Sequence, residues 1–269
     1  MNTIERWLTD HADLDRLDRD LLLAGVLDVD RAQILAHPER SLDGAELKQL
    51  GLWSTRRRSG EPLAYILGRK EFWSLELAVN PAVLIPRPET ELLVEQTLSV
   101  STHGQRILDL GTGSGAIAIA LASELDRTEI CASDVSQAAL KVAAVNAATH
   151  NVAITLIASD WFVNISGAFH TIVSNPPYVA EADPYLAKLH TEPRHALVSG
   201  VEGLDAIRYI VPAAREHLTQ DGWLLVEHGH DHGRSVRALM TRTGYRNVRS
   251  VHDLAGLERV SQGQWSGPL

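Results

Sequence analysis

The stretch RILDLGTGSGAIAIALASEL, residues 106–125, carries a strong fold signal. A short apolar run is followed by glycines at alternate positions and then by a longer apolar, alanine-rich run. The first run predicts a buried strand and the second predicts a helix. Glycines between them allow a tight turn and let a ligand approach the backbone N–H groups that open the helix. The stretch therefore predicts a strand, a glycine loop and a helix beside a ligand site.

On the C-terminal side of this stretch, strand and helix patterns continue to alternate. The strand candidates are EICASD, ITLIASD, TIVSN, GWLLVEHG, RNVRSVHDL and RVSQGQW. The helix candidates are QAALKVAAVNAA and the segments near residues 206–218 and 235–243. Apolar strands that alternate with helices predict an α/β fold with a doubly wound, mostly parallel sheet. Such sheets bind their ligands at the carboxyl ends of the strands.

On the N-terminal side, residues 1–70 contain short amphipathic runs without a strand pattern, which predicts a small all-helical domain. From residue 71 the pattern changes to FWSLELAV, an alternating strand, followed by a turn at Asn80-Pro81. VLIPRPET then forms a stiff connector before the helix ETELLVEQTL. The predicted domains are 1–70, a connecting segment over 71–101, and a sheet domain over 102–269.

Composition narrows the class of protein. The 269 residues are 45% hydrophobic and 22% charged, as in ordinary globular proteins. No apolar run is long enough to span a membrane, and acids stand where a signal peptide would carry bases, so we expect a cytoplasmic protein. The single Cys131 fits a buried position in a reducing compartment. The net charge of −9 gives the protein no overall positive potential that would attract a nucleic-acid backbone. The Arg56–Arg58 run is expected to be a solvated helix end.

The glycine loop alone leaves two ligand classes open. Residues 111–116 read G-x-G-x-x-A, which fits a dinucleotide as well as another nucleoside. Asp134 closes the next strand, where it could accept hydrogen bonds from ribose hydroxyls or, alternatively, cap the following helix, as the adjacent Ser136 could. Asp109 is expected to support the loop or the ammonium group of a ligand. Asp160 and Trp161 could hold a purine through the carboxylate and the ring, although a buried tryptophan with a capping aspartate is equally compatible.

The tetrapeptide Asn-Pro-Pro-Tyr at residues 175–178 follows the strand TIVSN, which is expected to lie beside the strand of the glycine loop. Asn175 offers a side-chain carbonyl and Pro176 offers a backbone carbonyl, so two acceptors converge. Two acceptors suit a planar –NH₂ group, with Tyr178 stacking on it, and they could steer its lone pair towards a methyl donor. The tetrapeptide could also be only a rigid turn. A hydride-transfer enzyme would have no evident use for such an amine cradle.

Together these motifs resemble the class I S-adenosylmethionine-dependent methyltransferases, and among them the release factor glutamine methyltransferases of the HemK/PrmC type. The resemblance rests on EFWSLELAVNPAVLIPRPETELLVEQ, RILDLGTGSGAIAIALA, SDWF, IVSNPPYV and LLVEHG. It implies a Rossmann-like sheet domain with an N-terminal helical domain joined by a β-hairpin within 71–101. It also implies methylation of the glutamine side-chain amide in the Gly-Gly-Gln motif of peptide chain release factors, with S-adenosyl-L-homocysteine as the second product.

Carried over to this sequence, the resemblance assigns roles to particular residues. Catalysis is expected from Asn175, Pro176 and Tyr178. The cofactor is expected to contact Asp109, Gly111, Thr112, Gly113, Ser114, Gly115, Asp134, Asp160, Trp161 and Asn175. The substrate is expected to contact Asn175, Pro176, Pro177, Tyr178, Arg87 and Pro88, with Glu89 bordering the site. The helical domain is expected to grip the release factor, and we expect a monomer.

Three rival interpretations remain at this point. Adenine also presents a conjugated –NH₂ group, so an adenine-N6 methyltransferase acting on DNA or RNA would use the same cradle, although such an enzyme normally has a basic surface. A nicotinamide-dependent oxidoreductase would use the same glycine loop. A non-catalytic module could bind release factors without methylating them. The alternating His228, His230 and His232 lack a second cluster of ligands, and we expect no metal there.

Overall fold

The computed structural model describes residues 2–267 and divides the chain into two compact units, the first ending at Gly68 and the second beginning at Arg69. The α-helices are α1 (Ile4–Asp10), α2 (Arg16–Leu27), α3 (Arg31–Ala36), α4 (Gly44–Arg58), α5 (Leu63–Leu67), α6 (Glu91–Val100), α7 (Ala116–Glu124), α8 (Gln137–Thr149), α9 (Asp205–Ala213) and α10 (Gly233–Thr243). The strands are β1 (Arg69–Phe72), β2 (Leu75–Ala78), β3 (Arg106–Leu110), β4 (Glu129–Asp134), β5 (Ile154–Ala158), β6 (Phe169–Ser174), β7 (Leu218–Glu227), β8 (Arg246–His252) and β9 (Glu258–Trp265). Short 3₁₀ helices lie at Pro88–Thr90, Pro184–Lys188, Arg194–Ala196 and Ala214–His217.

The first unit is all-helical, and its acidic residues explain where several helices begin. Asp30 and Asp43 cap α3 and α4 in capping boxes, in which each aspartate accepts from the third helical residue while that residue's side chain reaches back. A core that includes Ile4, Leu22 and Leu50 fills the space between the helices. Capping and apolar burial together stabilise helices that would be too short to form alone.

Arginines 56, 57 and 58 at the end of α4 all pair with carboxylates of the same unit. The pairs are Arg56–Glu61, Arg57–Asp18 and Arg58–Asp13, with closest N–O distances of 2.5, 2.6 and 2.7 Å. The positive charges also lie at the C-terminal end of the helix dipole, where cations are favoured. The arginine run therefore stabilises the helical unit through ion pairs with its own acids.

The second unit is built on a seven-stranded sheet with the order β5-β4-β3-β6-β7-β9-β8. The pairs from β5 through β7 are parallel, and β9 pairs antiparallel with both β7 and β8. The predicted mostly parallel, doubly wound α/β fold is thus confirmed. β6 pairs directly with β3, as expected, with Leu108 opposite Ile172. Buried helices such as α7, in which residues 116–121 are all buried, cover the sheet.

The interpretation of FWSLELAV as one strand is wrong. The stretch turns back at Trp73-Ser74, so that β1 and β2 form an antiparallel hairpin in the second unit. Both turn residues have positive φ, 54° and 58°, as a two-residue hairpin turn with the right twist requires. Such turns normally contain asparagine or glycine, so the pair Trp73-Ser74 gives no recognisable turn signal in the sequence. Trp73 is held there because its backbone N–H donates to Glu91 and its indole N–H donates to Glu124.

Three further expectations concern the turn at Asn80, the position of Cys131 and membrane-spanning helices. The turn at Asn80 is present, with the Val83 N–H donating to the Asn80 carbonyl at 3.1 Å and the Ala82 N–H donating to its side chain. Cys131 is free and buried in β4. Within residues 2–267, none of the helices is long and apolar enough to cross a membrane.

Candidate active site

The glycine loop joins β3 to α7, and its three glycines share a conformation that other residues rarely adopt. Gly111, Gly113 and Gly115 have φ values of 81°, 56° and 83°. A Cβ on Gly115 would also lie 2.9 Å from Ile119 Cδ1 and 3.1 Å from Ala143 Cβ. The alternate glycines are therefore required by the backbone at all three positions, and at Gly115 also by the packing of α7 against α8.

The loop is anchored to the neighbouring strand. The N–H groups of Gly111 and Thr112 both donate to the Ser133 carbonyl in β4, at 2.9 and 2.8 Å. The loop backbone is thus fixed across two strands before any ligand binds.

Asp109 lies beneath the loop. Its Oδ2 accepts from the Thr112 hydroxyl at 2.6 Å and from the Ala118 N–H at 3.2 Å. Burial raises the pKa of Asp109 to about 7, opposed by these two hydrogen bonds and aided by the charge of Asp134. Its Oδ1 is buried without a hydrogen-bond partner among the described residues. Asp109 therefore supports the loop and retains one free acceptor.

Asp134 at the end of β4 bridges two turns. Its Oδ2 accepts from the Gly113 N–H at 2.9 Å and its Oδ1 accepts from the Ser136 N–H at 2.8 Å. The N-cap of α8 is Ser136, whose hydroxyl accepts from the Ala139 N–H. The alternative in which Asp134 caps the helix is therefore wrong. Its carboxylate is rigidly held and faces the cavity described below.

Asp160 and Trp161 follow β5 and approach the same place. Trp161 is half-buried with φ of 46°, and a Cβ on Gly111 would lie 3.9 Å from its ring. Asp160 is exposed, so the alternative of a fully buried tryptophan with a capping aspartate does not describe the pair. Both residues line the cavity described below.

The Asn-Pro-Pro-Tyr turn leaves the end of β6 and is fixed at both of its ends. The Asn175 Nδ2 donates to the Thr90 hydroxyl at 3.1 Å, and the Tyr178 hydroxyl donates to Glu227 Oε1 at 3.1 Å. Burial raises the pKa of the Tyr178 phenol well above its ordinary value, and the charge of Glu227 adds to the rise. The phenol is therefore neutral and its hydrogen is directed to Glu227.

These elements enclose two adjoining cavities, of about 200 and about 530 Å³. Of the residues predicted from the sequence, the first is lined by Gly111, Thr112, Gly113, Ser114, Asp134, Asp160, Trp161, Asn175, Pro176, Pro177 and Arg87. The second is lined by Arg87, Asn175, Pro176 and Tyr178. Asn175, Pro176 and Arg87 belong to both walls and mark the junction. Within the described residues, neither cavity is lined by the remaining predicted residues, which are Asp109, Gly115, Pro88 and Glu89.

Arg87 is held at the junction by a carboxylate that the sequence did not single out. Glu192 is buried, pairs with the Arg87 guanidinium, and accepts from the Ile85 N–H at 3.1 Å. Pro88 opens the 3₁₀ helix that follows, a position at which its missing N–H costs no hydrogen bond. The connector is therefore pinned to the segment that follows the Asn-Pro-Pro-Tyr turn.

Comparison with known proteins supplies the family. The family model of the PrmC N-terminal domain matches residues 2–68, and that of the methyltransferase small domain matches residues 88–251. The release factor glutamine methyltransferase of Coxiella burnetii is 46% identical over 261 residues, covering 96% of this chain and 94% of that protein. The chain belongs to the release factor glutamine methyltransferase family. The enzyme of the same name from Vibrio cholerae is 44% identical, over 94% of this chain and 91% of its own.

A solved structure shows the same fold at lower identity. The Thermus thermophilus 16S rRNA N2 G1207 methyltransferase, in complex with AdoMet and guanosine, superimposes with a TM-score of 0.56 at 16% identity. The match covers 73% of this chain and 49% of that one. The family assignment decides in favour of a methyltransferase over the nicotinamide-dependent oxidoreductase that the glycine loop alone left open.

Thr90, Glu192 and Glu227 contact the family's motif residues but were not predicted as site residues. Thr90 lies within LIPRPETE and Glu227 within LLVEHG, two motifs on which the resemblance rests, so the signal was present as motif membership without a role. Glu192 lies in neither motif. Its partner Arg87 is 105 residues away in the chain, and no local pattern could reveal that pair.

His228, the first of the three alternating histidines, makes hydrogen-bond contacts within the fold. His228 is buried, its Nδ1 faces the Gly229 carbonyl at 2.9 Å, and its Nε2 faces the Ser261 hydroxyl at 2.8 Å. Burial lowers the pKa of His228, so the ring is neutral. No cluster of three metal-ligating side chains occurs anywhere between residues 2 and 267.

Proposed function

We propose that this chain transfers a methyl group from S-adenosylmethionine to the side-chain amide nitrogen of the glutamine in the Gly-Gly-Gln motif of peptide chain release factors. The observation that carries the proposal is the position of Asn175 and Pro176 in the walls of both cavities. A donor held in the first cavity and an amide entering from the second would meet at these two residues.

The residues of the first cavity fit S-adenosylmethionine. Gly111 and Gly113 allow a ligand to approach the loop closely, and the rigid Asp134 carboxylate retains lone pairs for ribose hydroxyls. Asp109 lines neither cavity, so its part would be indirect: it supports the loop from beneath through Thr112 and the Ala118 N–H. Trp161 and Asp160 would take the adenine, through ring packing and an exocyclic amine.

At the junction, the protein supplies acceptors and no strong base. With its nitrogen committed to Thr90, the Asn175 side chain has its carbonyl oxygen left for the substrate –NH₂, and the Pro176 carbonyl is the second acceptor. Holding both hydrogens orients the nitrogen lone pair, and positioning and electrostatics accelerate the transfer. When bound, the cofactor would supply a methyl group on a positively charged sulfur, with the neutral thioether S-adenosylhomocysteine as leaving group and one amide proton lost to solvent.

Tyr178 contributes its ring to this cradle. Because its hydroxyl already donates to Glu227, the phenol is not free to donate to the substrate. The flat face of the ring would pack against the planar amide, and Pro177 would keep the turn stiff. Arg87 would border the entering peptide, its guanidinium held by Glu192.

The remaining parts of the proposal concern partner and compartment. We assign the helical domain, predicted as residues 1–70, to release factor contact, the predicted residues 71–101 to hairpin and linker, and residues 102–269 to methyl transfer by a cytoplasmic monomer. The hairpin begins two residues before the predicted boundary, at Arg69. Because Arg56, Arg57 and Arg58 are all paired with acids, this run offers little free positive charge to a phosphate backbone. That supports a protein substrate over DNA or RNA.

The test incubates the protein with methyl-labelled S-adenosylmethionine and, in separate reactions, with a purified release factor, total RNA or DNA. Label on the release factor alone is the expected result. Label on nucleic acid alone would support the adenine-N6 rival. Titration calorimetry with S-adenosylmethionine and with NAD, in which only the former is expected to bind, tests the assignment of the first cavity independently of the substrate.

A further inference from the structure

Glu227 is a buried carboxyl group that the proposed chemistry does not use directly. It ends β7, is only 1% exposed, and accepts from the Tyr178 hydroxyl through Oε1. Its Oε2 has no hydrogen-bond partner among residues 2–267. Burial raises its pKa to about 7, while Thr90 and Tyr178 act in the opposite direction. A carboxyl group in such a place costs stability, so its presence calls for a compensating role.

Thr90 holds the other end of the Asn-Pro-Pro-Tyr turn. It is 4% exposed, and its hydroxyl oxygen accepts from the Asn175 Nδ2 at 3.1 Å. A hydroxyl has one hydrogen and two lone pairs. In this bond a lone pair of the hydroxyl faces Asn175, so the amide nitrogen is turned towards Thr90 and the amide oxygen is turned away.

Asn175 can present either face of its amide to the cavity. If the amide were flipped, its oxygen would face the Thr90 lone pair and its –NH₂ group would face the substrate –NH₂ group, so two donors would oppose each other. The bond from Asn175 to Thr90 therefore belongs to the amide orientation that can hold the substrate.

We propose that Glu227 and Thr90 are positioning residues for methyl transfer, an inference that rests on the proposed function. Glu227 holds Tyr178 and Thr90 holds Asn175, so that these two buried residues fix the two ends of the substrate cradle. The two bonds tie together three segments that are far apart in the chain: the connector before α6, the turn after β6, and the end of β7.

The test compares Thr90→Val, Thr90→Ser and Thr97→Val. Valine keeps the shape of threonine and removes the hydroxyl, whereas serine keeps the hydroxyl. Thr97 is a matched control because it is also buried, and its hydroxyl donates only to the Leu93 carbonyl one turn back in α6. The readouts are kcat and KM for release factor methylation, the Kd for S-adenosylmethionine, and the thermal midpoint.

We expect Thr90→Val to lower kcat by roughly a hundredfold, because misplacing a positioning group costs about that much. The Kd of Thr90→Val for S-adenosylmethionine should stay close to the wild-type value. Thr90→Ser should recover most of kcat. Thr97→Val should match the wild type in kcat. A purely structural role would instead lower the thermal midpoint of Thr90→Val and Thr97→Val alike, with kcat per folded molecule unchanged.

Tyr178→Phe keeps the inference testable if Thr90→Val does not fold. Phenylalanine retains the ring and loses the bond to Glu227, so kcat should fall while the Kd for S-adenosylmethionine is maintained. Wild-type kcat in either Thr90→Val or Tyr178→Phe, with an active wild-type enzyme, would overturn the positioning role alone. A wild-type protein that labels no release factor would overturn the proposed function and this inference with it.

Discussion

Asn175 and Thr90 lie 85 residues apart in the chain, and the Asn175 side-chain nitrogen donates to the Thr90 hydroxyl at 3.1 Å. This bond joins the turn after β6 to the connector before α6 at the junction of the two cavities. It commits the nitrogen of the amide to the protein, which leaves the oxygen for a substrate amine.

Asn175→Ala should abolish methyl transfer and leave the fold intact. The substitution removes one of the two acceptors of the reacting amine, and loss of a preorganised polar group of this kind costs about 10²-fold or more in kcat. Label transfer to a release factor measures kcat, circular dichroism monitors the fold, and calorimetry should show that much of the S-adenosylmethionine affinity remains. Full activity in this variant would rule out the amine cradle.

Asp134→Ala should act mainly on cofactor binding. A carboxylate that accepts from ribose hydroxyls contributes charge-assisted hydrogen bonds, so its loss should raise the Kd for S-adenosylmethionine by about tenfold or more. Asp126→Ala is the control, because Asp126 is exposed and lines neither cavity. Equal affinities of the two variants, measured by calorimetry, would show that the ribose assignment is wrong.

Gly115→Ala should destabilise the sheet domain more than Gly113→Ala. Both positions have positive φ, which costs an L side chain about 1–2 kcal/mol. At Gly115 the new methyl group would also lie 3.1 Å from Ala143 Cβ and 3.3 Å from Ala143 Cα, besides 2.9 Å from the more mobile Ile119 Cδ1, whereas nothing lies within 4 Å of a Cβ on Gly113. Urea unfolding of the two variants measures the difference, and an equal loss would show that packing at Gly115 has no effect.

Glu227→Gln should change the pH dependence of stability. The pKa of Glu227 rises from 4.5 to about 7 on folding, so between these values the native state holds a proton that the unfolded state has lost. The stability associated with this proton is fully present below pH 4.5 and is lost as the pH rises through 7, on the order of 1.4 kcal/mol per pH unit. Arg259 and Glu89 modulate the same carboxyl group from neighbouring segments.

Urea unfolding of wild type and Glu227→Gln at several pH values across this window provides the measurement. The wild type should lose stability relative to the glutamine variant as the pH rises. Asp109 titrates in the same direction and is present in both proteins, so the difference between them isolates Glu227. Parallel curves would contradict the raised pKa of Glu227.

Much of the fold was predictable because its signals are local. The glycine loop, the alternation of strands and helices, and the placement of β6 beside β3 all follow from short patterns and from the rules of parallel sheets. The β-hairpin that the resemblance implied is present, but the residue pattern does not locate its turn at Trp73-Ser74, because the positive φ values there are supported by hydrogen bonds to Glu91 and Glu124 rather than by the usual turn residues.

The candidate site residues also differ in how local their signals are. Asn175 and Asp134 are predictable as strand-end residues, since the carboxyl ends of parallel strands collect the ligand groups. Thr90 and Glu227 were not, because their importance lies in contacts with Asn175 and Tyr178 that only the folded chain creates. The sequence marks them only as members of the motifs LIPRPETE and LLVEHG, which assigns them no role.

The most direct test of the account uses two release factors that differ only at the glutamine of the Gly-Gly-Gln motif, one intact and one carrying Gln→Ala. Each is incubated with this protein and methyl-labelled S-adenosylmethionine, and the labelled residue is located by peptide mass spectrometry. We expect label on the glutamine of the intact factor and none on the variant. Equal labelling of both factors, or label on neither, would contradict it.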